Sequence, residues 1–374
     1  MPRIARLFKR ALWLLPALLV AFLAFWLVFS ICSRPFRLTF PPTAEAIRHH
    51  DQARGLPHYA RDEVDTFYTV PEWYIVWSYQ AKADFQQTSL PSAYSYFGDI
   101  GQYWQAYSRV YGGTRHVYPF AAGDHVMLIV IGSSFTLEYT LKGLYEKTIG
   151  RFSEWTSGHN MVAEDKYAAQ IAEDYAAFVH VRPFYEYSFA HALRGLWRDT
   201  PFLRTHLIRV LERRVWLSLD YLVESAYCQI IEWATHATYG YEDVYTAAWI
   251  EFSAESKALV LSSAPSMKLA NDLGSNEAIV EIPRYEEFTV DAQKLLQNGA
   301  RFRQIAGNEL IVFSAIAPVS LTSSTPDAQL ILSQTLLTSP TKKRVVLLTR
   351  VAALHEVLPW CASRGVHVEH LYDY

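Results

Sequence analysis

Four charged residues on two similar stretches of this sequence have the types and spacing that acid–base chemistry requires. Glu138 and Lys142 stand four positions apart in the first stretch, which is the favourable order for an ion pair along a helix. The matching positions of the second stretch hold Asp220 and Glu224, and two acids at this spacing repel each other unless a cation lies between them. We expect Lys142 to be that cation, which predicts an acid–lysine–acid cluster between two helices.

This cluster has two interpretations. If it is buried, its pKa values shift and it suits the handling of protons or cations. Otherwise it is a structural ion-pair network or a pair of solvated helix faces. Packing of the matched faces would also bring Tyr139 close to Tyr221. With the tyrosines included, the candidate binding residues are Glu138, Tyr139, Lys142, Tyr145, Asp220, Tyr221, Glu224 and Tyr227.

The two stretches that carry these residues align without a gap. Residues 136–149 read TLEYTLKGLYEKTI and residues 218–231 read SLDYLVESAYCQII, and each predicted helix continues to a matching glycine, Gly158 or Gly240. Two helices with the same face are what a pseudo-two-fold pair requires. Chance is the alternative, because leucine, tyrosine and acids are common in amphipathic helices.

No established motif for a metal, a cofactor or a nucleophile accompanies the cluster. The sequence lacks the H-E-x-x-H pattern of zinc enzymes and the G-x-S-x-G frame of hydrolases. His367 and Glu369 alternate onto one face of a predicted strand, where they suit a metal ion, although an exposed polar strand end is the commoner reason for this pattern. We therefore expect no metal and no cofactor, and the sequence alone does not name a reaction.

An uncharged N-terminal stretch predicts a membrane anchor. Residues 11–32 read ALWLLPALLVAFLAFWLVFSIC, which is long enough to cross a hydrocarbon core of about 30 Å. Basic residues at positions 3–10 precede it and predict a cytoplasmic N-terminus. A cleaved signal peptide would need a shorter apolar stretch and small residues at the cleavage site. We expect an inner-membrane protein with the bulk of the chain outside the cytoplasm.

The sequence leaves the number of membrane crossings open. The segment 126–144 is strongly apolar and carries only Glu138 and Lys142 as charges, so it is either a second crossing or a buried helix. The same question applies to residues 216–234. Three crossings would place the basic region 146–213 in the cytoplasm, in agreement with the positive-inside rule.

The composition narrows the class of partner. Of the 374 residues, 51% are hydrophobic, 15% aromatic and 19% charged, whereas an average globular chain carries about 25% charge. This balance suits a surface that faces lipid or another protein. The net charge of −3 argues against nucleic acid as a partner, because phosphate binding requires a basic patch. The aromatic-rich residues 33–120 fit either an interface or an aromatic core.

The pattern of elements predicts an α+β protein in four segments. A basic tail and transmembrane helix (1–32) precede a mostly helical, aromatic-rich domain with two similar long helices (33–245). A linker region (246–273) then leads to a small α+β domain (274–374). The order β-α-β-β-β-β-α-β expected for the last segment resembles a ferredoxin-like arrangement with one added hairpin strand.

These features predict a non-enzymatic, membrane-anchored envelope protein. Its expected partners are a membrane lipid, a small molecule, another membrane protein or a second copy of itself. The alternative is a membrane-bound enzyme that uses the carboxylate and lysine cluster for acid–base chemistry. A ferredoxin-like fold hosts many functions and does not choose between the two.

Overall fold

The structure is a computed structural model that shows an α+β protein, in which a helical region precedes two antiparallel sheets. Residues 1–19 and 21–23, and with them most of the predicted anchor, lie outside the described residues. Among those described, no helix is both long enough and apolar enough to cross a membrane. The described residues are 20, 24–35, 38, 59, 68–116, 120, 122–201, 205–238, 245–321 and 327–373.

The helical region is built from long helices joined by short turns. Its described α-helices are α1 (Thr69–Gln86), α2 (Tyr96–Thr114), α3 (Ala122–Tyr145), α4 (Arg151–Thr156), α5 (Ala163–Val179), α6 (Phe189–Asp199) and α7 (Leu207–Thr238). A π-helical turn, Glu146–Gly150, joins α3 to α4. Gly158 follows α4 with φ at 63°, a left-handed conformation that glycine adopts at little cost, so it ends the run where the sequence predicts.

The helical region repeats one order of elements. A 3₁₀ turn (Pro91–Ala93) joins α1 to α2, and another (Phe184–Glu186) joins α5 to α6. In each set the second helix packs on the long third helix, α2 on α3 and α6 on α7, while α1 packs against α5. The order helix, 3₁₀ turn, helix, long helix therefore occurs twice in the described chain.

One hydrogen bond recurs at the same place in both sets. Trp104 Nε1 of α2 donates to Thr136 Oγ1 of α3 over 3.0 Å. Trp197 Nε1 of α6 donates to Ser218 Oγ of α7, also over 3.0 Å. Thr136 and Ser218 are the first residues of the two similar stretches, so the hydrogen bond recurs at aligned positions.

Two four-stranded antiparallel sheets follow. Their elements are β1 (Tyr245–Glu251), α8 (Lys257–Ser262), β2 (Lys268–Asp272), β3 (Glu277–Pro283), α9 (Glu286–Gln297), β4 (Arg301–Ile305), β5 (Leu310–Pro318), β6 (Ala328–Thr335), β7 (Lys342–Arg350), α10 (Leu354–Ser363) and β8 (His367–Leu371). The strand order is β2-β3-β1-β4 in the first sheet and β6-β7-β5-β8 in the second. In each sheet the first strand along the chain pairs with the third and the fourth.

The sheets differ from the sequence prediction in two respects. Residues 246–273, expected to be a linker, form β1, α8 and β2, and the strands expected in one sheet are divided between two. The reason is that β1 (YTAAWIE) lies at the centre of its sheet and is buried on both faces. A short apolar run of this kind shows no alternation by which a strand could be recognised.

Aromatic residues of α1 and α2 form a core together with the second sheet. Trp73, Trp77 and Tyr103 are almost fully buried and belong to one hydrophobic cluster with Val312 and Val346 of β5 and β7. Within the described part of the aromatic-rich region, these rings favour the core over the interface. The helical region and the second sheet thus share a core and position each other.

Candidate functional site

Lys142 lies at the centre of the predicted cluster. Its Nζ is 2.9 Å from Glu138 Oε1, 3.0 Å from Asp220 Oδ1 and 2.9 Å from Glu224 Oε1. The four side chains are only 13% to 20% exposed. The expected contact of Lys142 with the acids of the second stretch is confirmed, whereas the role of these residues in binding stays a prediction.

The antiparallel packing of α3 and α7 positions these side chains. Tyr145 of α3 stacks on Trp216 of α7, with ring centroids 3.6 Å apart and planes within 7°. The Tyr145 hydroxyl also donates to Glu212 Oε1 over 2.7 Å. These contacts lie one turn beyond the pairing of Lys142 with Asp220, so they fix the register in which the charged residues meet.

Tyr139 and Tyr221 do not form the pair that the sequence predicts. The Tyr139 ring lies 5.7 Å from Tyr96, and the Tyr221 ring lies 6.2 Å from Phe189. They therefore belong to different hydrophobic clusters. The physical reason is that each tyrosine packs against the second helix of its own set. At this level the contacts between α3 and α7 are made by Lys142 with Asp220 and Glu224.

The fourth tyrosine of the candidate set, Tyr227, lies at the other end of the contact between α3 and α7. Its hydroxyl is hydrogen-bonded to Ser134, and its ring stacks on Phe184 at 5.9 Å. Tyr227 and Tyr145 thus lie on either side of the cluster along the helices. Their ring contacts with Trp216 and Phe184 support the packing of the helices on both sides of the cluster.

A cavity of about 70 Å³ adjoins the cluster. Residues of α1 and α5 form its other walls. Apart from the four charged residues, its lining includes Tyr79, Lys82, Gln86, Tyr96, Glu146, Ile171, Tyr175, Phe189, Arg213, Trp216, Leu217 and Tyr221. Carboxylates, ammonium groups and tyrosine rings therefore surround one small space between four helices.

Lys82 is a residue of this site that the sequence prediction missed. It lies on α1, lines the cavity, and holds its Nζ 5.5 Å from the centre of the Tyr139 ring. Within the described part of the chain, its ammonium makes no hydrogen bond or ion pair. The sequence carries no signal for it, because Ser78 and Gln86, one turn away on either side, are polar, and only the structure shows that both are buried.

In the cavity, the pKa values of Glu224 and Lys82 shift in the directions that favour their neutral forms. Burial raises the pKa of Glu224 to about 7, although the Lys142 charge opposes this shift. Burial and the Lys142 charge lower the pKa of Lys82, although the surrounding acids oppose that change. Burial also opposes the charge on Lys142, but its three carboxylate partners more than offset it and hold the Lys142 pKa well above the ordinary value.

The charges of the site do not balance. Glu138, Asp220 and Glu224 contribute three negative charges when ionised, and Lys82 and Lys142 contribute two positive ones. One negative charge is left in a poorly solvated place, where isolated charges are costly. A proton on Glu224 removes it, and a small bound cation would do the same.

A second ionic network reaches one wall of the cavity through Glu146 and Arg213. Arg213 Nη1 lies 2.7 Å from Glu146 Oε1, and Arg209 Nη2 lies 2.7 Å from Asp165 Oδ1. Both arginine side chains are almost fully buried. These pairs tie α7 to α5 and to the π-helical turn. Because the two arginines are neutralised inside the protein, they do not support a cytoplasmic location of residues 146–213.

The structure gives no metal site at the strand residues considered in the sequence. Glu369 accepts two hydrogen bonds of 2.7 Å from the Arg344 guanidinium, so its oxygens are occupied. Throughout the described ranges, no three or more His, Cys, Asp or Glu side chains are grouped so as to hold a metal ion.

Comparison with known proteins does not assign the chain to a family. No family model matches the chain, and no curated protein or solved structure shows significant similarity to it.

Proposed function

We propose that the protein is a membrane-anchored envelope protein that binds a small cation in the cavity between α1, α3, α5 and α7, in exchange for a proton. The observation that carries this proposal is the convergence of three carboxylates on Lys142 at the wall of the cavity. The charge that they leave uncompensated is covered by the proton of Glu224 at low pH. A bound cation takes the place of that proton as the pH rises.

The size of the cavity limits the ligand. About 70 Å³ is several times the 10–15 Å³ that one water requires, and it is well below the pockets of about 300–1,000 Å³ that hold drug-sized molecules. A lipid chain does not fit. A cation of a few heavy atoms does.

The walls of the cavity favour an organic ammonium ion. Tyr79, Tyr96, Tyr175 and Trp216 present aromatic rings to the same space as the carboxylates. Aromatic faces attract ammonium groups, and this attraction grows as water is excluded. We therefore assign a small alkylammonium ion as the ligand class, with methylammonium as its simplest member.

Calorimetric titration of the full-length protein in detergent with methylammonium chloride tests this proposal. Binding should strengthen between pH 6 and pH 8, because Glu224 loses its proton in that range. In buffers of different ionisation enthalpy, the measured heat should show that binding releases a proton. Glu224→Gln should bind weakly at both pH values. Glu232→Gln, an exposed acid-to-amide change on the same helix, is the matched control and should behave as the wild type.

An acid–base enzyme is the second candidate, and one observation favours it. Lys82 has a lowered pKa and Glu224 a raised one, and both line the same cavity. Two groups adjusted towards neutral pH are what proton transfer requires. Native mass spectrometry of gently purified protein separates the candidates, since an unchanged bound amine supports binding, whereas a bound product or cofactor supports catalysis.

We also propose an evolutionary and structural relationship for the two sheets and for the two sets of helices. We assign each sheet to a ferredoxin-like unit, because the first strand along the chain is central and the order is that of a split βαβ arrangement. We assign the two sets of helices to an internal repeat related by a pseudo-two-fold axis. The sheets then serve in sensing or assembly, while the cavity lies at the centre of the repeat.

A further inference from the structure

The long helix α3 carries a stripe of exposed residues without a single charge. Every exposed residue between positions 122 and 146 is apolar, glycine or serine. They recur every three to four positions, as one face of a helix requires. They are Ala122, Gly123, Val126, Met127, Val130, Ser133, Leu137, Leu141 and Leu144.

Helix α7 carries a matching stripe. Its exposed residues between positions 207 and 230 are again uncharged, and only one of them is polar. They are Leu207, Ile208, Leu211, Val215, Leu219, Leu222, Val223, Ala226, Gln229 and Ile230. Exposed tryptophans stand near opposite ends of the antiparallel pair, Trp233 at 75% exposure and Trp155, after the π-helical turn, at 68%.

The two helices are amphipathic in the reverse sense of a helix that faces water. Glu138 and Lys142 of α3 and Asp220 and Glu224 of α7 turn inward to the cavity, towards α1 and α5. The stripes therefore point away from the cavity. A surface helix in water buries its apolar side and exposes its charges, and an exposed apolar surface of this extent marks an interaction site.

The start of the chain indicates what covers the stripes. Residues 24–32 end the uncharged run 11–32 and form a helix whose exposed residues include Leu27, Val28 and Ile31. This helix packs on the same part of the protein, because Trp26 lies 4.8 Å from His125 at the start of α3. The last part of the predicted membrane anchor and the start of the α3 stripe thus lie side by side.

We propose that the uncharged stripes of α3 and α7 lie against membrane lipid. Continuity with the anchor places these faces at the bilayer, where apolar side chains are stabilised in proportion to the area they bury and tryptophan prefers the interface. The inference shares only the membrane attachment with the proposed function. Its failure would leave the cation site in place, and failure of the cation site would leave the stripes exposed.

Site-directed spin labelling of the full-length protein in lipid vesicles tests this contact. Cys32 is the exposed cysteine among the three and is first replaced by serine, while Cys228 and Cys361 are buried. Labels are then placed at L141C and L219C, where the wild-type residues are 56% and 54% exposed. V290C, on α9 of the first sheet at 44% exposure, is the matched apolar control.

The label at each position is relaxed by oxygen, which concentrates in lipid, or by a water-soluble nickel complex. Lipid contact predicts an oxygen-to-nickel accessibility ratio several-fold higher at L141C and L219C than at V290C. Equal ratios at all three positions would overturn the proposal. Dipolar broadening between labels of two chains at L219C would also overturn it, because a second copy would then cover the stripe.

Discussion

Lys142 and Glu224 occupy the same position in the two similar stretches, and they bind each other directly: Lys142 Nζ donates to Glu224 Oε1 over 2.9 Å, across 82 positions of sequence. Two lysines or two glutamates at these aligned positions would repel each other. A lysine in one stretch and a glutamate in the other make the contact attractive.

Removal of the central cation should destabilise the protein strongly. Lys142→Met leaves three poorly solvated carboxylates without their common partner, and breaking a buried pair costs about 3–5 kcal/mol. Glu224→Gln added to Lys142→Met should recover part of the loss, because the two residues interact and their effects do not add. Denaturant unfolding of the wild type, both single variants and the double variant gives the coupling energy.

The control for this set of variants is an exposed ion pair between α8 and β2. Lys257 Nζ lies 2.7 Å from Asp272 Oδ2, but both side chains face water. Lys257→Met should therefore cost at most about 1 kcal/mol. If the changes at Lys142 and Glu224 add without coupling, the cluster contributes nothing beyond its individual charges.

The stability of the protein should fall as the pH rises through the range in which Glu224 titrates. Its pKa is raised by burial from 4.5 to about 7, so the folded state holds this proton more tightly than the unfolded state does. The contribution is complete below about pH 4.5 and is lost between about pH 4.5 and pH 7, and 2.5 units correspond to about 3 kcal/mol. The difference in unfolding free energy between wild type and Glu224→Gln, measured from pH 4 to pH 8, should show this slope. A flat difference would contradict it.

His370 should produce the opposite dependence at acidic pH. Burial, with smaller effects of His180 and Arg284, lowers its pKa from 6.5 to about 3. The folded state therefore disfavours the proton, and stability is complete above about pH 6.5 and falls towards pH 3, by about 5 kcal/mol in all. His370→Phe retains a ring over Trp73, where the centroids are 3.6 Å apart, and should remove this part of the acid sensitivity. Acid unfolding followed by near-ultraviolet circular dichroism measures it, and an unchanged acid midpoint would assign the sensitivity to other groups.

The sequence predicted the centre of the site because one charge differs between the two copies. The like-charged pair Asp220 and Glu224 requires a cation, and Lys142 was the one that the alignment supplied. Lys82 was not predicted, because it lies on α1, outside the two similar stretches, where a single lysine looks like an ordinary surface residue. Its role depends on the packing of α1 against α5, and contacts between distant helices are not encoded in local spacing.

The predicted fold was also correct where a local sequence pattern determines an element, and wrong where contacts between distant elements determine it. Long helices with a strong periodic pattern, such as α3 and α7, were predicted together with the glycine that ends the first. Strand β1 was missed because residues distant in the chain bury both of its faces. Ala248 and Ile250 cluster with Phe288 of α9, and Ala247 and Trp249 cluster with Tyr59. The division of the strands into two sheets depends on which strands pair and not on the character of any one strand.

The close approach of α2 and α3 gives a last prediction. A Cβ atom added at Gly132 would lie only 2.7 Å from Cζ of Tyr103, and closer still to its Cε1. The ring cannot move away easily, because its hydroxyl donates to the Leu128 carbonyl over 2.7 Å and the residue is fully buried. Gly132→Ala should therefore destabilise the protein by about 1–3 kcal/mol, the usual cost of overpacking a core.

Gly101, on an exposed part of α2, is the matched control, because nothing lies within 4 Å of the added atom. Gly101→Ala should stabilise the protein by about 0.4–1 kcal/mol, because it reduces the freedom of the unfolded chain. Denaturant unfolding of the two variants measures both changes, and a Gly132→Ala variant as stable as Gly101→Ala would show that α2 and α3 do not pack as closely as described.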